Sequence, residues 1–376
     1  ESEKTMLQLL LGGSGSGKTT LLYQRIRARA EKGEKSILLV PEQFTSSTEG
    51  RIYRELGDAL SGMVESFSFT SLAEKILSTE GGAAVQTLSD AGRAVLVRRA
   101  LEELQDNVHY YHRHRRSAAF CQMAAQTIDE LKSAGLSGRQ LAQLAGACGA
   151  ESGKLSELAL IFQGYETLLA RSGMDPSDRL ELAGARLEEA LARHSLPEFL
   201  RDRAVFIDEF DTFNAPKKRL LGAMLAALPS VTVALCDDGA PLLPGDLSLF
   251  SGAKQVAAQL RQLARKNGAE VAVPQLLRKD LRHRNAPGLA AVAELLETGS
   301  CTADAPAGEV RLFAAPSREE EARAAAGAIR RLMRQGVRCG KIAVVCRDIA
   351  KYRAAVRYEF RMAEIPLYCD EPTTPE

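Results

Sequence analysis

One short segment near the start of the chain has the residue types and spacing of a phosphate-binding loop. Residues 12–19 read GGSGSGKT and fit G-x-x-x-x-G-K-[ST], with an apolar stretch (residues 6–11) before them and a helical pattern (residues 20–32) after them. In such a strand–loop–helix, backbone N–H groups and the positive end of the helix face the same anion. The segment predicts that this chain binds a nucleoside triphosphate or descends from a protein that did; a glycine-rich turn without a ligand is the alternative.

Each residue of this loop has an expected role in holding the phosphates. The ammonium group of Lys18 is expected to reach the β- and γ-phosphates, and the Thr19 hydroxyl is expected to bind Mg²⁺. The complete predicted nucleotide-binding set is Gly12, Gly13, Ser14, Gly15, Ser16, Gly17, Lys18, Thr19 and Thr20.

Two carboxylates, Asp208 and Glu209, directly follow a second apolar stretch at residues 204–207. After a phosphate-binding loop, this pattern is typical of an acid that holds Mg²⁺, here Asp208, next to an acid that orients or deprotonates the attacking water, here Glu209. Acids at strand ends are common, so a plain strand end is the alternative. The predicted catalytic residues are Lys18, Asp208 and Glu209, and the predicted Mg²⁺ ligands are Thr19 and Asp208.

The composition is that of an ordinary globular protein. The 376 residues suffice for two or three domains, and the hydrophobic and charged fractions are 45% and 26%. The net charge of +1 implies that any nucleic-acid surface is local. Seven scattered cysteines without a C-x-x-C pair argue against zinc, an iron–sulfur cluster or a disulfide framework in this stretch. The sequence shows no signal peptide and no apolar run of membrane length, so we expect a cytoplasmic protein.

The order of apolar patterns predicts an α/β protein with a helical insert. Strands and helices alternate in the first part, which predicts a parallel sheet with helices on both faces. Residues 88–194 show only helical spacing, with apolar stripes that we expect to form a core of their own. Strands then return, and the predicted strands of this first α/β part are residues 6–11, 36–40, 62–67, 204–207 and 231–236.

A second α/β unit is predicted near the end of the chain. Residues 310–313 and 342–346 have the pattern of strands, residues 317–334 that of a helix capped by Ser317, and residues 304–308 that of a linker. The chain begins without Met and stops just after a strand-like segment at residues 365–368, so we interpret it as the N-terminal portion of something longer.

Further segments resemble the motifs of a known family, in the same order. Residues 41–45 (PEQFT) resemble the second box of UvrD-type superfamily 1 helicases, and residues 66–73 (SFSFTSLA) resemble the box that grips the single-strand backbone. The chain is more similar still to the AddB-type (RexB-like) subunit of bacterial AddAB helicase–nucleases. That similarity covers essentially the whole chain and includes residues 88–93 (LSDAGR), 206–210 (FIDEF), 282–287 (RHRNAP) and 342–347 (IAVVCR).

The resemblance implies a P-loop NTPase fold of the RecA-like, superfamily 1 helicase type. Residues 1–87 and 195–303 would form the helicase 1A-like domain, residues 88–194 the helical 1B-like insert, and residues 304–376 the start of a second, 2A-like RecA domain. The 190 positions between Lys18 and Asp208 agree with this interpretation, because nucleic-acid motors carry a large insert there and small-molecule kinases rarely do.

The resemblance also implies a function, cofactors and partners. The chain would be the ATP- and DNA-binding part of a heterodimeric ATP-dependent helicase–exonuclease that processes double-strand breaks for recombinational DNA repair, with an AddA-type subunit as partner. ATP and Mg²⁺ would bind here, whereas the family's nuclease residues and iron–sulfur cysteines would lie beyond position 376. A glutamine box that reads adenine is missing, and AddB-type subunits resemble inactivated helicases. A non-catalytic DNA-reading scaffold with a static ATP site therefore stays an alternative, with a P-loop small-molecule kinase as a third.

Candidate DNA-binding residues come from the helicase-like boxes and from two basic clusters. Residues 109–116 (HYYHRHRR) interleave basic and aromatic side chains, a pattern that pairs phosphates and stacks bases. A solvated loop is the alternative for this run, and a surface role is the alternative for the cluster near residue 282. Asp237 and Asp238 are either γ-phosphate sensors or a strand-end turn. The candidate DNA contacts are Gln43, Ser66, Phe67, Ser71, Arg113, Arg115, Arg116, Arg282 and Arg284.

Overall fold

The computed structural model describes residues 5–82, 86–149, 152–300 and 308–369. The chain divides into two compact units, residues 1–302 and residues 303–376. Each unit is described by itself below.

The first unit is built on a parallel sheet. Every strand pair in the described residues is parallel, and the spatial order is β3-β2-β4-β5-β1-β6, with β7 pairing the far end of β1. The predicted α/β class with a parallel sheet is thus confirmed. The strands are β1 (Met6–Gly12), β2 (Ser36–Leu39), β3 (Val64–Phe67), β4 (Ala204–Ile207), β5 (Ser230–Cys236), β6 (Glu270–Val271) and β7 (Gln275–Leu277).

Alternation of apolar residues along the strands places helices on both faces of the sheet. Leu7, Leu9 and Leu11 of β1 pack on one face, whereas Leu10 packs on the other. The first face is covered by α4 (Phe69–Glu80), α9 (Pro176–Ala192), α10 (Ala215–Ala227) and α11 (Ser251–Lys266), and the second by α1 (Lys18–Ala30) and α2 (Thr45–Leu56). The short helix α3 (Asp58–Ser61) precedes β3, and α12 (Pro287–Thr298) follows β7.

Four helices of the predicted helical insert form a core of their own. Ala124, Ile128, Phe162, Tyr165 and Leu169 are all buried in one cluster, which is separate from the two clusters of the sheet. The helices of this cluster are α5 (Asp90–Glu103), α6 (Ala118–Ser133), α7 (Gly138–Ala145) and α8 (Ser152–Ser172). Helix α9, in contrast, buries its apolar face in the core of the sheet.

A buried polar network joins the helical insert to α9. Asp175, the N-cap residue of α9, is 1% exposed; its carboxylate accepts hydrogen bonds from the Tyr165 hydroxyl of α8 at 2.6 Å and from Lys132 Nζ of α6 at 2.8 Å. Lys132 also pairs with Asp178 at 2.8 Å. One carboxylate therefore fixes the positions of three helices.

The described residues of the second unit form two α-helices and no strand. Helix α13 (Arg318–Arg334) begins as predicted, with Ser317 Oγ accepting the backbone N–H of Glu320, and it packs on α14 (Ile349–Met362). The strands predicted at residues 310–313 and 342–346 and the strand-like segment at residues 365–368 are wrong: no described segment pairs with them, and Leu312 and Val345 are almost fully exposed. An extended apolar segment becomes a strand only when a neighbour satisfies its backbone groups. Of the predicted linker, residues 304–307 lie outside the described residues.

Candidate nucleotide-binding site

The candidate phosphate-binding loop connects the carboxyl end of β1 to the first turn of α1. Gly15 and Gly17 have φ angles of 81° and 91°, in the left-handed region that glycine enters without steric cost. Gly17 is the N-cap residue of α1, and it offers no side chain to accept a hydrogen bond from the first turn. No capping side chain therefore competes with an anion for the backbone N–H groups of that turn.

The start of the loop is closely packed against Ser16 and against β7. A Cβ atom on Gly12 would lie 2.4 Å from Ser16 Oγ and 2.6 Å from the carbonyl oxygen of Leu277 in β7. Ser16 Oγ is buried and has no hydrogen-bond partner in the part of the chain that the structure describes. A buried polar atom without a partner is costly. A phosphate oxygen would satisfy this hydroxyl, so the residues present fit a polyphosphate.

The Lys18 side chain curls back over the loop. Its Nζ atom donates hydrogen bonds to the carbonyl oxygens of Gly12 and Gly13, both at 2.8 Å. Burial lowers the pKa of the Lys18 ammonium, while the thiol of Cys236 and the carboxyl of Asp208 act in the opposite direction. An anionic ligand would raise the pKa of Lys18 and so favour the charged ammonium, which is the form that binds phosphate.

Asp208 stands opposite the loop because of the strand order. It directly follows β4, which is separated from β1 by β5 alone, and its backbone N–H bonds the Leu39 carbonyl of β2 at 3.1 Å. Its carboxylate accepts a hydrogen bond from the backbone N–H of Glu209 at 3.0 Å. Burial raises the pKa of Asp208, and the nearby side chain of Thr19 acts in the opposite direction. The two predicted Mg²⁺ ligands, Thr19 and Asp208, are thus brought close together, and both offer the oxygen ligands that Mg²⁺ prefers.

Glu209 has an unusual backbone conformation. Its φ angle is 65°, which places a residue with a side chain in the left-handed region. This conformation turns the chain sharply at the end of β4 and leaves the Glu209 side chain on the wall of the cavity. Burial and the neighbouring carboxylate of Asp208 raise the pKa of Glu209, and Arg51 opposes them.

A cavity of about 390 Å³ lies between the loop and Glu209. It includes two residues, Arg51 and Leu281, that the sequence did not single out. Arg51 escaped notice because only the packing of α2 on α1 brings it to the cavity. The residues that line the cavity are Gly15, Gly17, Lys18, Thr19, Thr20, Arg51, Glu209, Leu281 and Arg282.

The segment after β7 closes one side of this cavity. Arg282 Nη1 donates to Ser14 Oγ at 3.0 Å, and the backbone N–H of Leu281 donates to the Gly15 carbonyl at 3.0 Å. Of the two arginines predicted from this segment, Arg282 lines the cavity, whereas Arg284 is exposed and does not.

The candidate DNA contacts from the helicase-like boxes lie near the carboxyl ends of β2 and β3, at the same end of the sheet as the loop. Gln43 is exposed in a 3₁₀ turn after β2, and Ser66 and Phe67 are half-buried in the edge strand β3. Ser71 forms a capping box with Ser68 at the start of α4, so its hydroxyl has a structural role as well. Carboxyl ends of neighbouring parallel strands face the same crevice, where ligands of open α/β sheets bind.

The backbone at the start of the basic, aromatic run (residues 109–116) is held in place by a buried carboxylate. The carboxylate of Glu157 in α8, 7% exposed, accepts the backbone N–H groups of His109, Tyr110 and Tyr111 at 2.8–3.2 Å. The following residues project outward: Arg113 and Arg116 are exposed and Arg115 is half-buried. None of these arginines lines the nucleotide cavity.

Asp237 and Asp238 form a turn. Asp237 Oδ1 accepts the Gly239 N–H at 2.7 Å and Asp238 Oδ1 accepts the Ala240 N–H at 2.8 Å, and neither residue lines the cavity. These contacts favour the strand-end turn over a phosphate sensor. In the described ranges, no group of three or more His, Cys, Asp and Glu side chains is arranged to hold a metal ion. None of the described helices has the length and apolar character needed to cross a membrane.

Comparison with known proteins gives a consistent result. The family model described as "ADDB, N-terminal" matches residues 9–293. Proteins named as the B subunit of an ATP-dependent helicase/deoxyribonuclease are similar over 97–98% of this chain: 34% identical in Desulforudis audaxviator, 33% in Symbiobacterium thermophilum and 32% in Moorella thermoacetica. The chain covers 32% of the length of each of these relatives.

Proposed function

This chain belongs to the AddB N-terminal family, and from that premise we propose that it is the ATP- and DNA-binding part of an ATP-dependent helicase–nuclease subunit. The whole enzyme would process double-strand DNA breaks for recombinational repair in the cytoplasm. The observation that carries the proposal is that the glycine-rich loop and Glu209 line one cavity, with the buried Asp208 directly before Glu209 in the chain. A simple glycine-rich turn would not need a buried acid near Thr19.

In this proposal, different residues of the site bind the nucleotide and promote its hydrolysis. The backbone of the loop and Lys18 hold the β- and γ-phosphates, and the Ser16 hydroxyl gains a partner. Mg²⁺, held by Thr19 and Asp208, supplies positive charge to the phosphates when it is bound. Glu209, on the cavity wall, orients the attacking water and accepts its proton.

We extend the proposal to the domain organisation of a superfamily 1 helicase. Strands from residues 1–87 and 195–303 build one sheet, which supports a single 1A-like domain interrupted by an insert. The separate core of α5, α6, α7 and α8 supports a 1B-like subdomain within residues 88–194. Residues 304–376 would begin the 2A-like domain.

DNA would bind along the carboxyl edge of the sheet and at the basic run. Gln43, Ser66, Phe67 and Ser71 are expected to contact the strand backbone at that edge. The basic run offers exposed arginines on a loop that Glu157 holds in place, so little ordering entropy is lost on binding.

The relatives are each named as one of the subunits of an enzyme, which supports a partner for this chain. We propose an AddA-type helicase–nuclease as that partner, with nuclease activity and any iron–sulfur cluster supplied outside these 376 residues.

The function is tested by fluorescence anisotropy of a labelled single-stranded oligonucleotide, with and without Mg²⁺ and a non-hydrolysable ATP analogue. We expect the DNA affinity of the wild type to change when the analogue is added. Lys18→Ala should abolish that change, and Lys32→Ala, at an exposed position just after α1, should preserve it. DNA binding that ignores the nucleotide would favour the static scaffold, and no DNA binding at low salt would contradict the DNA-binding part of the proposal.

A further inference from the structure

Arg51 lines the candidate site although it belongs neither to the loop nor to the acidic pair. It lies on α2, the helix that follows β2, and β2 neighbours β4, the strand that Asp208 directly follows. Its side chain lines the cavity together with Lys18 and Glu209. The helix therefore brings a positive charge to the acidic side of the cavity.

The guanidinium of Arg51 is held in place by an aromatic ring. Its Cζ atom lies 4.9 Å from the centroid of the Tyr23 ring, within the range of a cation–π contact. Tyr23 is 5% exposed and belongs to α1, the helix that begins at Lys18. Because the ring is fixed in the core, the guanidinium stacked on it has little freedom to move away from the cavity.

The charge of Arg51 has no close counter-ion in the described residues. Arg51 forms no ion pair within 4.0 Å there, in contrast to many other arginines of the chain. Its influence reaches the acidic pair at longer range, where it opposes the rise in the pKa of both Asp208 and Glu209. An unneutralised cation on the wall of a cavity is suited to an anionic group of a ligand.

The three cations of the cavity come from three different segments. Lys18 contacts the loop carbonyls and Arg282 contacts Ser14, so both lie at the loop, where the first phosphates would sit. Arg51 lines the cavity together with Glu209, toward which a further phosphate would extend. A diphosphate held by the loop would leave Arg51 without a partner, whereas a triphosphate would supply one.

We propose that Arg51 binds the terminal phosphate of a nucleoside triphosphate and makes the site prefer triphosphate over diphosphate. This inference rests on the proposed nucleotide site and adds a specificity-determining residue to it. Arginine suits this task because its planar fork pairs two phosphate oxygens at once and its charge is permanent.

The test measures affinities of the 376-residue protein for Mg²⁺–AMP-PNP and Mg²⁺–ADP by calorimetric titration. Charge-assisted hydrogen bonds of this kind correspond to roughly tenfold to a hundredfold in affinity. Arg51→Gln should lower the affinity for AMP-PNP by about that factor and change the affinity for ADP by less than about twofold. Arg51→Lys, which keeps the charge but loses the planar guanidinium, should recover part of the preference.

The matched control is Arg54→Gln, one turn further along the same helix, where the side chain is exposed and outside the cavity. It should alter neither affinity, and thermal unfolding of every variant checks that the fold is kept. Equal losses for both nucleotides, or no loss for either, would overturn the role of Arg51 and leave the nucleotide site standing. A wild-type protein that binds neither nucleotide would overturn the proposed function together with this inference.

Discussion

Glu209 combines a strained backbone with a proposed catalytic role. A residue other than glycine at a φ of 65° costs of the order of 1 kcal/mol, and such conformations concentrate at functional sites. The strain turns the carboxylate toward the cavity, immediately after the buried Asp208. The two acids therefore differ in environment: Asp208 is buried, and Glu209 lines the cavity where water would attack.

Glu209→Gln should separate nucleotide binding from hydrolysis. The amide keeps the size of the side chain but cannot accept the proton of the attacking water, so turnover should fall by about 10²- to 10⁴-fold. Nucleotide affinity should stay nearly unchanged. A steady-state ATPase assay on the complex with its partner, together with a nucleotide titration, checks both parts. Equal turnover by the variant and the wild type would contradict the role of Glu209.

Asp208→Asn should stabilise the nucleotide-free protein at neutral pH. Burial raises the pKa of Asp208 in the folded state above its value in the unfolded chain. As the pH rises from the unfolded to the folded pKa, the unfolded chain loses this proton first, so the free energy of unfolding falls and stays lower at neutral pH. The asparagine removes that cost while its amide oxygen still accepts hydrogen bonds.

Urea unfolding as a function of pH measures this effect. The advantage of Asp208→Asn should be present at pH 7 and should disappear as the pH falls below about 4, the ordinary Asp pKa. The same variant should lose the stabilisation that Mg²⁺ and nucleotide confer on the wild type. An asparagine variant less stable than the wild type at pH 7 would mean that Asp208 is stabilised as a carboxylate.

At the scale of elements, the network around Asp175 joins α6 and α8 of the helical insert to α9, which packs on the sheet. Lys132→Ala should lower the free energy of unfolding by about 3–5 kcal/mol, because it leaves a buried carboxylate without its ion-pair partner. Lys266→Ala, at the exposed end of α11, is the control and should change little. Chemical denaturation measures both, and a loss below about 1 kcal/mol for Lys132→Ala would show that Tyr165 alone satisfies Asp175.

The elements also show how far sequence reasoning reaches. The strand–loop–helix geometry around residues 12–19 was predictable because it depends on local backbone conformation and a fixed residue pattern. Strands β1, β2, β4 and β5 were predictable because buried parallel strands are continuous apolar runs. Strands β6 and β7 are two and three residues long at the edge of the sheet, too short for any periodicity.

Other features depend on contacts that no local pattern contains. The apolar segments at residues 310–313 and 342–346 carry the pattern of strands without a described neighbour to pair with. The position of Arg51 depends on how α2 packs against Tyr23 of α1. The anchoring of the basic run depends on Glu157, which is 41 residues beyond its end in the sequence.

At the scale of the whole molecule, a net charge of +1 implies that the proposed DNA binding would depend on local clusters. The logarithm of the single-strand affinity should therefore fall linearly with the logarithm of the salt concentration, with a slope of about −0.7 for each phosphate contacted. The double variant Arg113→Ala, Arg116→Ala should make that slope shallower by about 1.4. Arg98→Ala, whose partner is Glu102 on the exposed face of α5, should leave it unchanged. A salt-independent affinity would contradict a phosphate-contacting surface.

The central claim is that the loop around Lys18 and the acid pair form one Mg²⁺–nucleotide site, and a direct titration of Mg²⁺–AMP-PNP into the protein tests it. We expect saturable binding of one nucleotide per chain that requires Mg²⁺. Lys18→Ala should weaken it at least roughly tenfold, because a charged partner of the phosphates is lost, and Lys32→Ala should bind like the wild type. Binding that is absent from the wild type, or unaffected by Lys18→Ala, would contradict the account.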